Sequence, residues 1–187
     1  MVRRYLVVAN QTLGGERLHA EIRLRARAGP AHFHVVVPAT PVERLDPEYL
    51  AAARQETRAD EAAEQARPEL VEARHALEDE IDEARVVRAT EDEGRLLARQ
   101  RLRHELERLR ELEVDASGEV GVPDPVEAVG TVLHRFEFDE ILLSTLPGRR
   151  SRWLAAGLPR RMQRAFGIPV IQVVGAGHAP DGAGAPG

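Results

Sequence analysis

The chain has 187 residues and a formal net charge of −5, with 43% hydrophobic and 30% charged side chains, the balance of one folded domain rather than a disordered chain. No apolar run approaches the ~20 residues that cross a bilayer, so no membrane partner is expected, and the overall acidity argues against a nucleic-acid binder. There is no cysteine and no lysine among the basic residues; disulfides, thiolate metal sites, P-loop lysines and Schiff-base lysines are therefore excluded, and a cytoplasmic location is expected.

The N-terminal "MVRRYLVVAN" has too short an apolar run for a leader and passes at once into a strand. "RYLVVA", Arg4 to Ala9, is the β-branched run of a strand buried on both faces. "NQTLGG" turns, and "ERLHAEIRLRARAG" has helical spacing through Leu18, Ile22 and Leu24 or Ala26, stopped at Gly29-Pro30. "HFHVVVPAT", His32 to Thr40, is a second strand. The last seventy residues repeat this grammar. "VDASGEVG" is a weaker strand, and "VPDPVEAVGTVLHRF" a helix capped by Asp124 with Pro125 at its first position. "FDEILLST" is a fourth strand, "SRWLAAGLPRRMQRAFG" a last helix in spite of Pro159, and "IPVIQVV" a fifth strand. Alternating strands and helices predict an α/β doubly wound sheet of five parallel strands. Residues 1–174 form that domain, and the Gly/Pro/Ala tail from 175 to 187 is expected to be disordered.

The middle is a different object. Pro41 to Glu113 carries 21 acidic and 13 arginine side chains, a net of −8, whereas the remainder is +3. It reads as helix throughout. Asp46-Pro47 caps a start, and Leu70, Ala73, Leu77, Ile81 and Ala84 make one apolar stripe. Thr90 and Glu93 suit a capping box for a further helix, with Leu102, Leu106 and Leu109 along one side, a stripe that, like that of Leu70, Leu77 and Ile81, is suited to meet its copy across two subunits. A crossover between strands needs one helix, so a helical insertion at about 41–90, between strands two and three, is expected.

In doubly wound sheets ligands lie beyond the carboxyl ends of the strands, at the point where the strand order reverses. The residues placed there are Ala9, Asn10, Gln11 and Thr12, Val37 to Thr40, and the stretch Ser144, Thr145, Leu146, Pro147, Gly148, Arg149, Arg150 and Ser151. "STLPGRRSRWLAAGLPRR" contains no acidic residue. Its arginines stand against the helix dipole, which disfavours cations at a helix N-terminus by ~0.3–1 kcal/mol each. An anion held by Arg149 and Arg150, the backbone of 146–151 and the hydroxyls of Ser144 and Thr145 accounts for that placement; solvation, or pairing with the acidic arm, also accounts for it. Ser151 also suits a helix N-cap, and Trp153 suits either base stacking or packing of the helix on the sheet. His32 and His34 alternate on one strand face without a third ligand, and Glu72 with His75 is half of a carboxylate-bridged pair whose second half would need a Glu where Arg101 stands. No metal site follows. No Ser–His–Asp set or carboxylate pair falls at the carboxyl ends of the strands, so the catalytic set is none.

On these residues the chain resembles the universal stress protein family, over Arg3–Ala28, His32–Thr40 and Arg95–Val174, in a divergent, bacterial form with an extra helical segment. The resemblance implies an adenine nucleotide alpha hydrolase-like fold with the five strands in the order 3-2-1-4-5, a homodimer paired through the final strand, and a role in a stress response. Nucleotide-binding members carry an Asp at the end of the first strand and a G-x2-G-x9-G-[ST] motif after the fourth, which holds ATP or another adenine nucleotide by its phosphates. Here Asn10 stands in the aspartate's place, and the motif falls on Ser144, Pro147, Gly157 and Leu158, of which Gly157 matches. Two functions are open on the sequence. One is a binding module for a nucleotide or other phosphate-bearing ligand. The other is an interaction protein acting through its acidic helical arm and dimer surface.

Overall fold

The computed structural model describes residues 2–65, 83–147, 153 and 157–175. Five strands, β1 (Arg3–Val8), β2 (Ala31–Pro38), β3 (Ala116–Gly121), β4 (Glu140–Thr145) and β5 (Val170–Val174), form one sheet in the order β3-β2-β1-β4-β5. Every neighbouring pair is parallel. The helices are α1 (Glu16–Ala28), α2 (Pro47–Gln65), α3 (Glu83–Glu111), α4 (Pro125–Leu133) and α5 (Leu158–Phe166). The α/β class and the all-parallel sheet are as the strand pattern predicts, and the strand order is the expected 3-2-1-4-5.

The central strand explains why. In β1 the last four residues are fully buried, and successive side chains serve opposite faces. Tyr5, Val7 and Ala9 join Phe33, Leu18, Ile22 and Leu109 under α1 and α3. Leu6 and Val8 join Val36, Ile141, Leu143 and Met162 under α4 and α5. Ala26, not the 64%-exposed Leu24, completes the apolar side of α1. A buried pair, His19 Nε2 to Glu105 Oε1 at 2.9 Å, ties α1 to α3.

Three sequence expectations change. The Leu102, Leu106 and Leu109 side of α3 packs on the sheet, so it is spent inside the domain and is not free to meet a second subunit. The stripe from Leu70 to Ile81 lies outside the described residues. No helix starts at Thr90, because α3 runs unbroken from Glu83. Glu93 instead accepts hydrogen bonds from Arg54 of α2, at 2.7 and 3.1 Å. The last helix is not one piece. Residue 153 is helical, Gly157 takes the left-handed φ 63°, ψ 30°, and α5 begins at Leu158 with Pro159 in its first turn. The glycine resets the chain direction, and the proline that looked like an interruption sits where a missing N–H costs nothing. The start of α2 is as expected: Asp46 Oδ1 accepts from the Glu48 and Tyr49 amides.

Candidate functional site

The strand order reverses between β1 and β4. The chain leaves β1 for β2 and β3 on one side, then returns to β4 and β5 on the other. Beyond the carboxyl ends of β1 and β4 lies a cavity of about 580 Å³. Asn10, Gln11 and Thr12 enter it from the turn after β1, and Ser144, Thr145 and Leu146 from the end of β4. Arg44 and Thr40 close one side; Asp124 and Glu127, at the start of α4, close another; Trp153, Leu158 and Arg161 complete it.

The floor is held by hydrogen bonds that leave two hydroxyls over. Asn10 Nδ2 donates to the Pro38 carbonyl at 3.0 Å and to Thr40 Oγ1 at 2.7 Å, so its amide ties the end of β1 to the end of β2. The Pro38 carbonyl is an acceptor, and a carboxylate at position 10 would have nothing to donate to it. Asparagine at this position has a structural reason. Arg101 Nη1 donates to the Asn10 carbonyl at 3.2 Å while its guanidinium carbon lies 3.8 Å over the Tyr49 ring. Burial pushes the Arg101 pKa down, against the opposing pull of Tyr49 and Glu56. Gly94 lets α3 pass this close: a Cβ there would stand 2.5 Å from the Thr40 carbonyl oxygen.

Thr145 Oγ1 accepts from Gln172 at 3.2 Å. Thr12 Oγ1 and Ser144 Oγ, by contrast, are buried and have no hydrogen-bond partner among the described residues. Buried hydroxyls are normally paired, because an unpaired one costs about 1–3 kcal/mol. Asp124 is partly committed: its Oδ1 caps α4 by accepting from the Val126 and Glu127 amides at 2.7 and 3.0 Å. The described charges of the wall are two arginines, Arg44 and Arg161, and two carboxylates, Asp124 and Glu127.

Of the residues expected here, Asn10, Thr12, Ser144, Thr145 and Leu158 meet at the cavity. Ala9 and Val37 do not line it; both side chains are in the core beneath α1 and α3. Pro147 is exposed and Gly157 stands at the N-terminus of α5, neither lining the cavity. Gly148, Arg149, Arg150 and Ser151, and with them the anion loop, lie outside the described residues. Trp153 packs on the core under α4 and α5, as one of its two readings has it, and also lines the cavity. Arg44, Asp124, Glu127 and Arg161 were not singled out as lining residues. Arg44 is the hardest to foresee, because only the short 3₁₀ turn Val42–Arg44 brings it back over the strand ends. Among the described residues no three His, Cys, Asp or Glu side chains converge on a metal position, and no helix is long and apolar enough to cross a membrane. Comparison with known proteins gives no matching family model and no matching curated protein.

Proposed function

We propose that the chain is a universal-stress-protein-like binding module, an adenine nucleotide alpha hydrolase-like domain with helices inserted between β2 and β3, whose cavity takes a nucleotide or another phosphate-bearing ligand. The observation that carries this reading is the pair of buried hydroxyls, Thr12 Oγ1 and Ser144 Oγ, that have no partner among the described residues, on residues lining a cavity at the reversal point of the sheet. A phosphoryl or ribose group supplies what they lack. Arg161 in the first turn of α5 adds a cation on the same wall, Trp153 offers a ring for a base, and Asp124 and Glu127 offer acceptors for ribose or amino groups.

A homodimer paired through β5 belongs to the same reading. This strand ends the sheet, and Ile171 on it is 39% exposed. An apolar edge with unpaired backbone groups invites a second strand. The competing reading, an interaction protein that uses its acidic arm and dimer surface and no nucleotide, makes the opposite forecast for ligand.

Thermal melting decides between them. Millimolar ATP, ADP, AMP or phosphate is expected to raise the melting temperature, since a ligand at about 100 times its Kd adds about 2.7 kcal/mol to stability. Arg161→Gln is expected to shrink the rise. Native mass spectrometry of freshly purified protein reads the bound ligand and the subunit count together. If no nucleotide or phosphate moves the melt and none co-purifies, the interaction reading replaces this one.

A further inference from the structure

A second polar site lies on β2 and β3, at the end of the sheet opposite the cavity. The β2–β3 register sets His34 beside Ser117. His32 and His34, two residues apart, project to one face, the face that Ser117 and Glu119 share. His32 Nδ1 is 3.0 Å from Asp115 Oδ2, and His32 Nε2 is 2.9 Å from Ser117 Oγ. Ser117 Oγ is also 2.8 Å from His34 Nδ1.

With a neutral His32 ring the contacts run in one direction. A carboxylate only accepts, so the neutral His32 ring carries its proton on Nδ1, towards Asp115, and presents a lone pair at Nε2. The Ser117 hydroxyl donates to that lone pair. A hydroxyl has one proton, so its second contact is accepted, from the Nδ1–H of His34. His34 Nε2 is then bare, and it has no hydrogen-bond partner among the described residues; Glu119 Oε2 is 3.5 Å away and is bonded to Arg135. Burial keeps His34 in this neutral form by pushing its pKa down, in spite of Glu119. Asp115, His32 and Ser117 thus stand as orienting acid, base and nucleophile, with the proton of the hydroxyl already directed at the base. Ser117 is half-buried, and reagents reach its surroundings: the side chains of Asp115 and His32 are 73% and 23% exposed. Phe136 and Phe138 pack against His34, ring centroids 5.7 and 6.0 Å away. The same two rings line a groove of about 770 Å³ of mixed character, with Leu133 and Ile168 beside Arg4, Glu137 and Asp139, and the rings themselves are the apolar surface next to His34.

We propose that Ser117 is an activated nucleophile that takes an apolar acyl group from an activated carboxylic ester, with His32 as its base and Asp115 positioning His32. Ser117 Oγ forms a bond to the carbonyl carbon as the bond from that carbon to the leaving oxygen breaks. The Ser117 proton passes to His32 Nε2 and from there to the leaving oxygen, which departs as an alcohol. The products are acyl-Ser117 and that alcohol, with no change of oxidation state.

The test is labelling of the full chain with p-nitrophenyl butyrate and, separately, an alkyl fluorophosphonate, read by intact mass and peptide mapping. The chain has three serines, Ser117, Ser144 and Ser151, and no cysteine or lysine, so competing nucleophiles are few. A single adduct on Ser117 is expected, absent in Ser117→Ala. His32→Gln is expected to slow labelling about 100-fold or more. Asp115→Asn is expected to slow it at least about tenfold, and Asp115→Glu, which keeps the carboxylate, to recover most of the rate. A wild type without the Ser117 adduct, or a folded His32→Gln that labels at the wild-type rate, overturns the proposal. If His32→Gln fails to fold by circular dichroism, the Asp115→Asn rate decides alone: equality with wild type overturns it.

Discussion

At the carboxyl end of the sheet, Thr12 and Ser144 bury hydroxyls with no partner among the described residues. At the amino end of β3, the Ser117 hydroxyl has two, His32 and His34. Both ends use short polar side chains on parallel strands, yet the energetics run in opposite directions. An unpaired buried hydroxyl destabilises the ligand-free protein and is stabilised by whatever completes it. A hydroxyl placed between two imidazoles is already complete, and what it gains is orientation. The contrast follows from the strand ends themselves. Beyond β1 and β4 the chain diverges to opposite sides of the sheet and leaves space, whereas β2 and β3 stay paired along six residue positions, so their side chains meet each other.

Substitutions at the two ends sharpen this contrast. The largest effect is expected at Asn10. Asn10→Asp removes the donor to the Pro38 carbonyl and sets a carboxylate against it, for a loss of about 2–3 kcal/mol in denaturant unfolding; a silent Asn10→Asp would mean that this amide does not hold the two strand ends together. Next comes a reversal of sign. Thr12→Val and Ser144→Ala are each expected to raise ligand-free stability by about 1 kcal/mol and, on the proposed reading, to diminish the rise in melting temperature expected with nucleotide. Ser117→Ala is expected to lower stability by about 0.5–1.5 kcal/mol. Equal signs for all three would erase the distinction between the two ends.

The smallest effect is a pH slope. The folded pKa of His34 lies below its ordinary value of about 6.5 because of burial, which outweighs Glu119. The unfolded chain therefore binds a proton at a pH where the folded one does not, and stability falls as pH drops below about 6.5. The melt difference between wild type and His34→Gln, followed from about pH 7.5 to pH 5, should shift against the wild type on the acid side. A difference constant with pH would remove His34 as the cause.

The sheet was legible because burial on both faces leaves a direct trace in the residue types: "YLVV" and "ILL" are continuous apolar runs that only a covered parallel strand can use. The caps at Asp46 and Asp124 were legible for a local reason, since a side chain two or three residues from an amide needs no tertiary information to reach it. Local pattern misled where the outcome depended on distant partners. Thr90 and Glu93 satisfy the spacing of a capping box, but Glu93 is held by Arg54, 39 residues away. The leucines of α3 look like a seam for another subunit, and only the register of the helix over β2 and β3 assigns them to the domain's own core.

The cavity was half visible. Asn10, Thr12, Ser144 and Thr145 follow from knowing where parallel strands end. Arg44 and Arg161 do not, since each depends on how a connecting turn folds back over those ends. The Asp115–His32–Ser117 arrangement left no sequence signal at all: 83 and 85 residues separate the partners, and their meeting is set by the pairing of β2 with β3. Composition and periodicity by themselves determined the layered α/β fold and where its strands end, because each strand and helix carries its own pattern of burial; which strand lies beside which is not written in those patterns. Which polar groups meet, and which are left unpaired, only the tertiary structure decided, because a hydrogen bond depends on positions to a fraction of an ångström that no local pattern encodes.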